Sequence, residues 1–229
     1  MAWPDPMVSA LEAIAWFRAR VPITPGRWRR LSAEARRRSF RVAGATRLSL
    51  VMDVWRAVER AIAQGLPYEA FEKEVGEKLV AAWGGSVTNP AHRLETIYRN
   101  NVQSAYSAGR YAQMTDPDVL RGRPFWMYDA LLDNRTSELC RGLNGTILPA
   151  DHDFWKTRYP PNHHNCRSGV RSLTRQGAER RGGVSAAPPV LQPAPGFRSL
   201  PGPDDWEPDL TGYPPEVVRE YERARGAAP

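Results

Sequence analysis

The residues with the most chemistry to offer lie close together in the sequence. Cys140 and Cys166 are the only cysteines of the 229-residue chain, and His152, His163 and His164, three of its four histidines, lie between them. The run Pro160-Pro-Asn-His-His-Asn-Cys166 carries the spacing His163-x-x-Cys166. Thiolate and imidazole are the donors zinc takes in a tetrahedral site. Cys140, His163 or His164, and Cys166 supply three of them, and Asp133 or His152 is a candidate for the fourth. Zinc is therefore the one cofactor the residues suggest. The same pattern also fits a buried pair of free thiols, or a disulfide formed once the reducing cell is opened. One H-x-x-C beside one distant cysteine is a weaker metal signature than paired C-x-x-C motifs.

A hydrolytic reading draws on the same stretch. His163-His164 beside Asn165, with Asp151-His-Asp153 nearby, contains the ingredients of a metal-dependent nuclease. Such chemistry needs a positioned general base and carboxylates around the metal. The spacing matches no hydrolytic motif, and Asp151 reads as a turn residue ahead of Phe154-Trp155. Phosphate-binding loops, G-x-S-x-G elbows and dinucleotide fingerprints are also missing from the sequence. The expectation is a protein that binds rather than an enzyme.

The charge is uneven along the chain. Residues 1–50 hold ten arginines, no lysine and three acids, so the whole net charge of +7 sits there. A basic block of this kind suits nucleic acid or an acidic protein surface, and it also occurs as a solvated helix face. Arg29, Arg30, Arg36, Arg37, Arg38 and Arg41 are the candidates to meet such a partner. Guanidinium pairs bidentately with carboxylate and phosphate alike, so the residue type leaves both partners open. No apolar run approaches the roughly 20 residues of a membrane helix, and Met1-Ala-Trp-Pro-Asp-Pro6 has no signal-peptide pattern. No membrane association is expected.

Helices must position what comes later. Residues 7–20 carry an apolar stripe at Val8, Leu11, Ile14 and Ala15, ended by Pro22 and Pro25-Gly26. Ser32 opens a basic second helix, which Gly44 interrupts. Thr46 is the expected cap of a third, with Leu48, Val51, Trp55, Val58 and Ile62 on one face. Gly65 and Pro67 punctuate the entry to a fourth, which carries Phe71, Val75, Leu79 and Trp83 and is closed by Gly84-Gly85. Asn89-Pro90 opens a fifth, 90–113, whose stripe includes Asn101. A buried Asn there must find partners. Small residues between 104 and 109 invite another segment to approach closely.

After Pro117 the texture changes to short strands: 124–128, 145–148 and 167–173, with a short helix starting at Asp133-Asn-Arg-Thr136. The fold class is α+β. A basic helical domain, 1–115, precedes a small α+β unit, 116–180, and a Pro-rich extended arm, 181–229. From Val184 on, 46 residues include ten Pro and four Gly, a composition typical of unstructured segments. Phe197, Leu200, Trp206, Leu210 and Tyr213 on that arm read as anchors into another surface. Residues 215–225 form a short amphipathic helix with Val217, Val218 and Tyr221 inward.

Asp133-x-Arg135-Thr136-x3-Cys140-x2-Leu143-x-Gly145, Leu148-Pro-Ala-Asp151, Phe154-Trp155 and Tyr159-Pro-Pro161-Asn162-x3-Cys166-Arg167 together resemble the Mu F-like phage head morphogenesis proteins, also called minor head or minor capsid proteins. Upstream, Trp28, Phe40-x-Val42-Ala-Gly44, Tyr98-Arg-Asn-Asn101, Tyr106 and Gly109-Arg110 agree, and the likeness covers roughly 8–173. The family usually has another cysteine where this chain has Ser168, which leaves a four-ligand metal site incomplete unless His163 compensates. The resemblance implies a structural or assembly protein of a phage or prophage head, present in low copy but in more than one copy per head. Its expected partners are the portal protein or the major capsid protein, and double-stranded DNA besides. Its expected place is the virion, at the capsid interior or portal vertex, after assembly in the host cytoplasm. The alternatives are a DNA-binding accessory protein of packaging or ejection, and the metal-dependent nuclease. The resemblance also implies structural roles for Asn101, Tyr106, Arg110, Arg135, Thr136, Pro161 and Arg167. Asp133 and Thr136 are expected to cap the short helix, and Arg135 to pair with Asp133 or a backbone carbonyl.

Overall fold

The computed structural model describes residues 11–32, 35–36, 38–197, 200 and 210–226. Arg37 and the anchor Trp206 lie outside the described residues. The chain forms two compact units, 1–109 with 204–229, and 110–203.

The first unit is helical. Its elements are α1 (Leu11–Arg18), β1 (Val21–Pro22), α2 (Pro25–Trp28), β2 (Ser39–Phe40), α3 (Leu48–Gln64), α4 (Tyr68–Trp83), most of α5 (Pro90–Thr115) and the terminal helix 215–226. The expected stripe of α3 is buried at Val51, Trp55, Val58 and Ile62, against Phe17, Phe40, Phe71, Val75 and Leu79. Phe17 stacks on Trp55 and meets Phe40 edge-on, with centroids 5.7 and 5.6 Å away. The sequence pattern did not signal β1 and β2, a two-residue parallel pair too short to show alternation. The start of α3 also differs from expectation. Arg47 is the extended residue before the first turn and makes no side-chain cap, while Thr46 sits one position too early. Gly65 and Gly84 end α3 and α4 in the left-handed conformation, as their positions suggested.

Two glycines are required by contact. At Gly44, φ is +86° and a Cβ would lie 2.5 Å from the Trp83 ring, whose indole N–H donates to the Ala43 carbonyl. At Gly109, a Cβ would lie 2.8 Å from the backbone nitrogen of Ala13. This is the close approach that the small residues of α5 invited. Asn89 caps α5 by accepting from the His92 amide at 3.0 Å. Asn101 satisfies its amide by donating to the Ile97 carbonyl one turn back, at 2.8 Å. Tyr106 packs half-buried against the same core.

The second unit is the small α+β layer. After α6 (Pro117–Gly122) come β3 (Phe125–Asp129), α7 (Glu138–Leu143), β4 (Ile147–Pro149), α8 (Phe154–Arg158), β5 (Gly169–Leu173) and α9 (Arg175–Glu179). The sheet has order β4-β3-β5, all antiparallel. Alternation along β3 turns Trp126 and Tyr128 inward, where Trp126, Trp155, Tyr159 and Tyr111 pack edge to face. Such ring geometry is favoured by the quadrupoles of the aromatic faces. Arg110 donates to the Val170 carbonyl at 2.9 Å and so holds the end of α5 on β5.

The Pro-rich segment is extended, and three of the anchors, Phe197, Leu200 and Tyr213, contact this chain itself. The Ser185 amide and hydroxyl pair with the Ile147 backbone at 2.8 and 3.0 Å. Arg158 donates to the Leu191 carbonyl at 2.7 Å, and the Ala194 amide to the Asn162 carbonyl at 2.9 Å. Leu200 packs on the Trp126 cluster, and Phe197 meets His164 edge-on. In the first unit, Tyr213 lies 4.1 Å under the Arg27 guanidinium. The terminal helix, α10 (Pro215–Gly226), buries Val217 and Tyr221, and Tyr221 donates to the Ala19 carbonyl. Among the described residues, no helix is long and apolar enough to cross a membrane.

Candidate functional site

Within the second unit, α7 and the loop 160–168 bring the two cysteines and one histidine together. Ser137 caps α7 by accepting from the Cys140 amide at 3.2 Å, which fixes Cys140 in the first turn. The loop begins with Tyr159, Pro160 and a cis peptide to Pro161. It is tied down by buried Asn162, whose amide donates to the Arg158 carbonyl and to the Tyr128 hydroxyl, both at 3.0 Å. The result places Cys140 Sγ 3.2 Å from His163 Nε2 and 3.7 Å from Cys166 Sγ. The ligand-type atoms of these three residues lie within 4.8 Å of one another. Both cysteines are free thiols and buried.

Around this triad stand polar groups, of which sequence reasoning missed Tyr128 and Ser137. The Tyr128 hydroxyl lies 3.3 Å from Cys140 Sγ, and the Ser137 hydroxyl 2.8 Å from His163 Nε2. Ser168 is buried and lines the same cavity, with Cys140 and His163. The signals for Ser137 and Tyr128 were present: a cap-type residue three before Cys140, and the second inward position of an alternating strand. The hydrogen bond from Cys166, with those from His163 and Ser137, holds the Cys140 thiol well below its usual range. Its neighbour Cys166 is pushed well above, because it bonds to Cys140 and is desolvated. The Cys140 contact raises His163, whereas burial and then the His163 charge lower His164. Burial also pushes the Tyr128 hydroxyl up, so it stays protonated.

Asp133 does not join the triad. Its carboxylate takes both arms of the Arg167 guanidinium, at 2.5 and 2.7 Å, and accepts from the Arg135 amide at 2.8 Å. Arg167 above all, then the Arg135 amide, holds the Asp133 carboxyl below the usual range. Nor does Asp133 cap α7, since Ser137 does. Instead Asp133 and Thr136 build the turn before it: Thr136 Oγ1 accepts from the Asp133 amide at 2.8 Å and donates to the Leu131 carbonyl at 2.5 Å. Arg135 contributes its amide to this turn, and its exposed side chain lines the cavity. His152 is spent locally, accepting from the Phe154 amide at 3.0 Å. Asp153 forms a surface ion pair with Lys156. Among the described residues, the grouping able to hold a metal is Cys140, His163 and Cys166, without a carboxylate.

The arginines of the first unit divide by role. Arg29, Arg30 and Arg41 are exposed. Arg41 and Arg36 each lie over the Trp28 ring, 3.9 and 4.5 Å from its centroid. Burial and then the Arg36 charge lower the Arg41 pKa. Arg36 also donates to the Trp28 and Arg29 carbonyls, at 3.2 and 2.7 Å, so it is part of the local fold rather than a free guanidinium. Arg38 is half-buried. Deeper still, Arg20 is lowered to about 10 by burial, donates to the Ser39 carbonyl at 3.0 Å and lies over Trp16.

The model of a family described as Phage Mu protein F like protein matches residues 52–171, which include the whole triad. Over 177 residues the chain is 37% identical to the protein named "Putative capsid assembly protein F" of Escherichia phage Mu, covering 71% of this chain and 40% of that protein. Over 165 residues it is 33% identical to the "Mu-like prophage FluMu F protein" of Haemophilus influenzae, covering 68% of this chain and 39% of that protein. The chain thus spans about two-fifths of the length of these curated relatives. No solved structure matches it significantly.

Proposed function

Because the chain belongs to the family of Phage Mu protein F-like proteins, we propose that it serves in assembling a phage or prophage head, where it acts by binding rather than by turnover. The segregation of charge supports the binding mode. The entire net charge of +7 falls within residues 1–50, and there Arg29, Arg30 and Arg41 are exposed. An excess of one sign of charge in one segment repels itself, as Arg36 does Arg41, and an acidic partner relieves that repulsion. The partner proposed is an acidic face of a head protein, the portal or the major capsid protein. The site of action proposed is the capsid interior or portal vertex, reached from the host cytoplasm.

Arg29 and Arg30 test this without disturbing the fold, since both side chains are exposed. In a phage or prophage that depends on this gene, Arg29→Glu with Arg30→Glu is expected to leave the folded chain abundant and purified heads depleted of it. Normal incorporation of that variant would remove the charge-based reading. Duplex DNA is the second reading, favoured by the same guanidiniums, which grip phosphate as they grip carboxylate. It requires duplex binding that weakens steeply with salt as released counterions are no longer favoured. No binding at low salt excludes it.

A further inference from the structure

We propose that Cys140, His163 and Cys166 hold one zinc ion, which pins the loop 160–168 to the first turn of α7 and leaves a fourth position facing the cavity beside Ser168. The proposal is independent of what the chain binds in a head. Distances come first. Zinc takes sulfur at about 2.3 Å and imidazole nitrogen at about 2.0–2.1 Å, so tetrahedral angles place two sulfurs about 3.8 Å apart and sulfur about 3.6 Å from nitrogen. The structure has 3.7 Å between the sulfurs and 3.2 Å from Cys140 Sγ to His163 Nε2. All three donors already converge without an ion to draw them in.

The orientation of His163 is the second support. Its Nδ1 lies 2.8 Å from the His164 carbonyl oxygen. A carbonyl only accepts, so Nδ1 carries a proton, and Nε2, which faces Cys140 Sγ and the Ser137 hydroxyl, is the nitrogen left to bind a metal once its own proton is displaced. Metal-bound histidines are typically held this way, with the second ring nitrogen donating to a carbonyl or carboxylate. The donor set decides the metal class. Two thiolates and an imidazole, with no carboxylate oxygen in the group, suit zinc and are poor for magnesium or calcium. The two thiolates also balance the ion's charge, so a buried neutral unit results.

The cavity limits the fourth position. It measures about 10 Å³ and is lined by Cys140, His163, Ser168, Arg135 and Arg167, among others. That is room for about one water-sized body, not for an organic substrate. The ion is therefore structural, and its remaining position takes water or the Ser168 hydroxyl.

The test uses the full chain, without a histidine tag, purified in reductant without chelator. Elemental analysis is expected to find about one zinc per chain, and Co²⁺ in its place to give an intense sulfur-to-cobalt charge-transfer band. Cys140→Ser and Cys166→Ser are each expected to lose the metal. Where those variants fail to fold, Ser168→Cys decides. A third thiolate at the open corner should slow zinc loss to a competing chelator by about tenfold or more. Unchanged release would overturn the assignment of the fourth position. Metal well below stoichiometry in the reduced wild-type chain, with no charge-transfer band on adding Co²⁺, would overturn the site. So would a Cys140–Cys166 disulfide in protein kept under reductant.

Discussion

Replacing Gly109 by alanine sets two effects of opposite sign against each other, and the structure says which wins. In the interior of a long helix, Gly→Ala normally stabilises by about 0.8–1.0 kcal/mol, because alanine loses less backbone entropy. At Gly109 the added Cβ would sit 2.8 Å from the Ala13 nitrogen and 3.3 Å from its Cα and Cβ. Comfortable separations begin near 3.5 Å. The obstacle is backbone, so no side-chain rotation relieves it, and α1 must move away from α5. Overpacking of this kind costs about 1–3 kcal/mol. Net destabilisation of about 0–2 kcal/mol is expected. Gly76, in α4, supplies the control. Its Cβ would meet Glu72 Cγ at 3.4 Å and Leu94 Cδ1 at 3.6 Å, ordinary contacts with flexible side chains. Gly76→Ala should therefore gain up to about 1 kcal/mol. Urea unfolding followed by far-ultraviolet circular dichroism reads both, since helices dominate that signal. A Gly109→Ala variant that gains as much stability as Gly76→Ala would refute the claim that α1 sits on the bare backbone of α5.

Three further outcomes are expected. Arg56 binds Glu220 through both guanidinium arms, and this bond lowers the Glu220 pKa. A lowered carboxylate stabilises above its ordinary pKa of about 4.3, and the contribution disappears as pH falls through the lowered value. Glu220→Gln should thus melt below wild type near neutral pH, and the gap should close as the pH falls below the ordinary carboxylate range; a gap of constant size would contradict the ion pair. Tyr128→Phe removes the hydroxyl that meets Cys140 and accepts from Asn162, and urea titration should register a loss of about 1–3 kcal/mol for the buried groups left wanting. Arg36→Ala gives up its seat over Trp28 and its carbonyl contacts. A cost of about 0.5–2 kcal/mol is expected there, against none for Arg30→Ala; equal stability of the two would show that Arg36 is as idle structurally as its exposed neighbour.

The helices of the first unit were legible because burial imposes the 3.6-residue period directly on sequence. The stripe of α3 and the glycine stops of α3 and α4 appear where apolar spacing and positive-φ residues put them. The three strands of the second unit were legible from their aromatic and β-branched runs. The candidate triad was legible only by residue type. Nothing in the spacing showed that Asp133 would be claimed by Arg167, because that pair joins residues on two separate segments brought together by the folded loop. Ser137 rather than Asp133 caps α7 for a related reason: the turn at 133–136 closes on itself through Thr136. Composition gave the extended character of the arm but not what its residues meet. Proline and glycine make a segment poor in regular structure, but they do not stop its carbonyls, amides and scattered side chains from docking on the chain's own surface, as Ser185, Leu191, Ala194 and Tyr213 do.

The first unit is discontinuous. Its last helix, α10, follows the whole of the second unit in sequence, yet α10 is tied to α1 through Tyr221 and to α3 through Glu220. During synthesis, residues 110–203 leave the ribosome before α10 exists. Until α10 is made, the Ala19 carbonyl and the Arg56 guanidinium lack the Tyr221 and Glu220 partners they have in the folded unit. A chain that stopped before Pro215 would carry the arginine-rich segment without the Tyr221 and Glu220 contacts that α10 makes with α1 and α3.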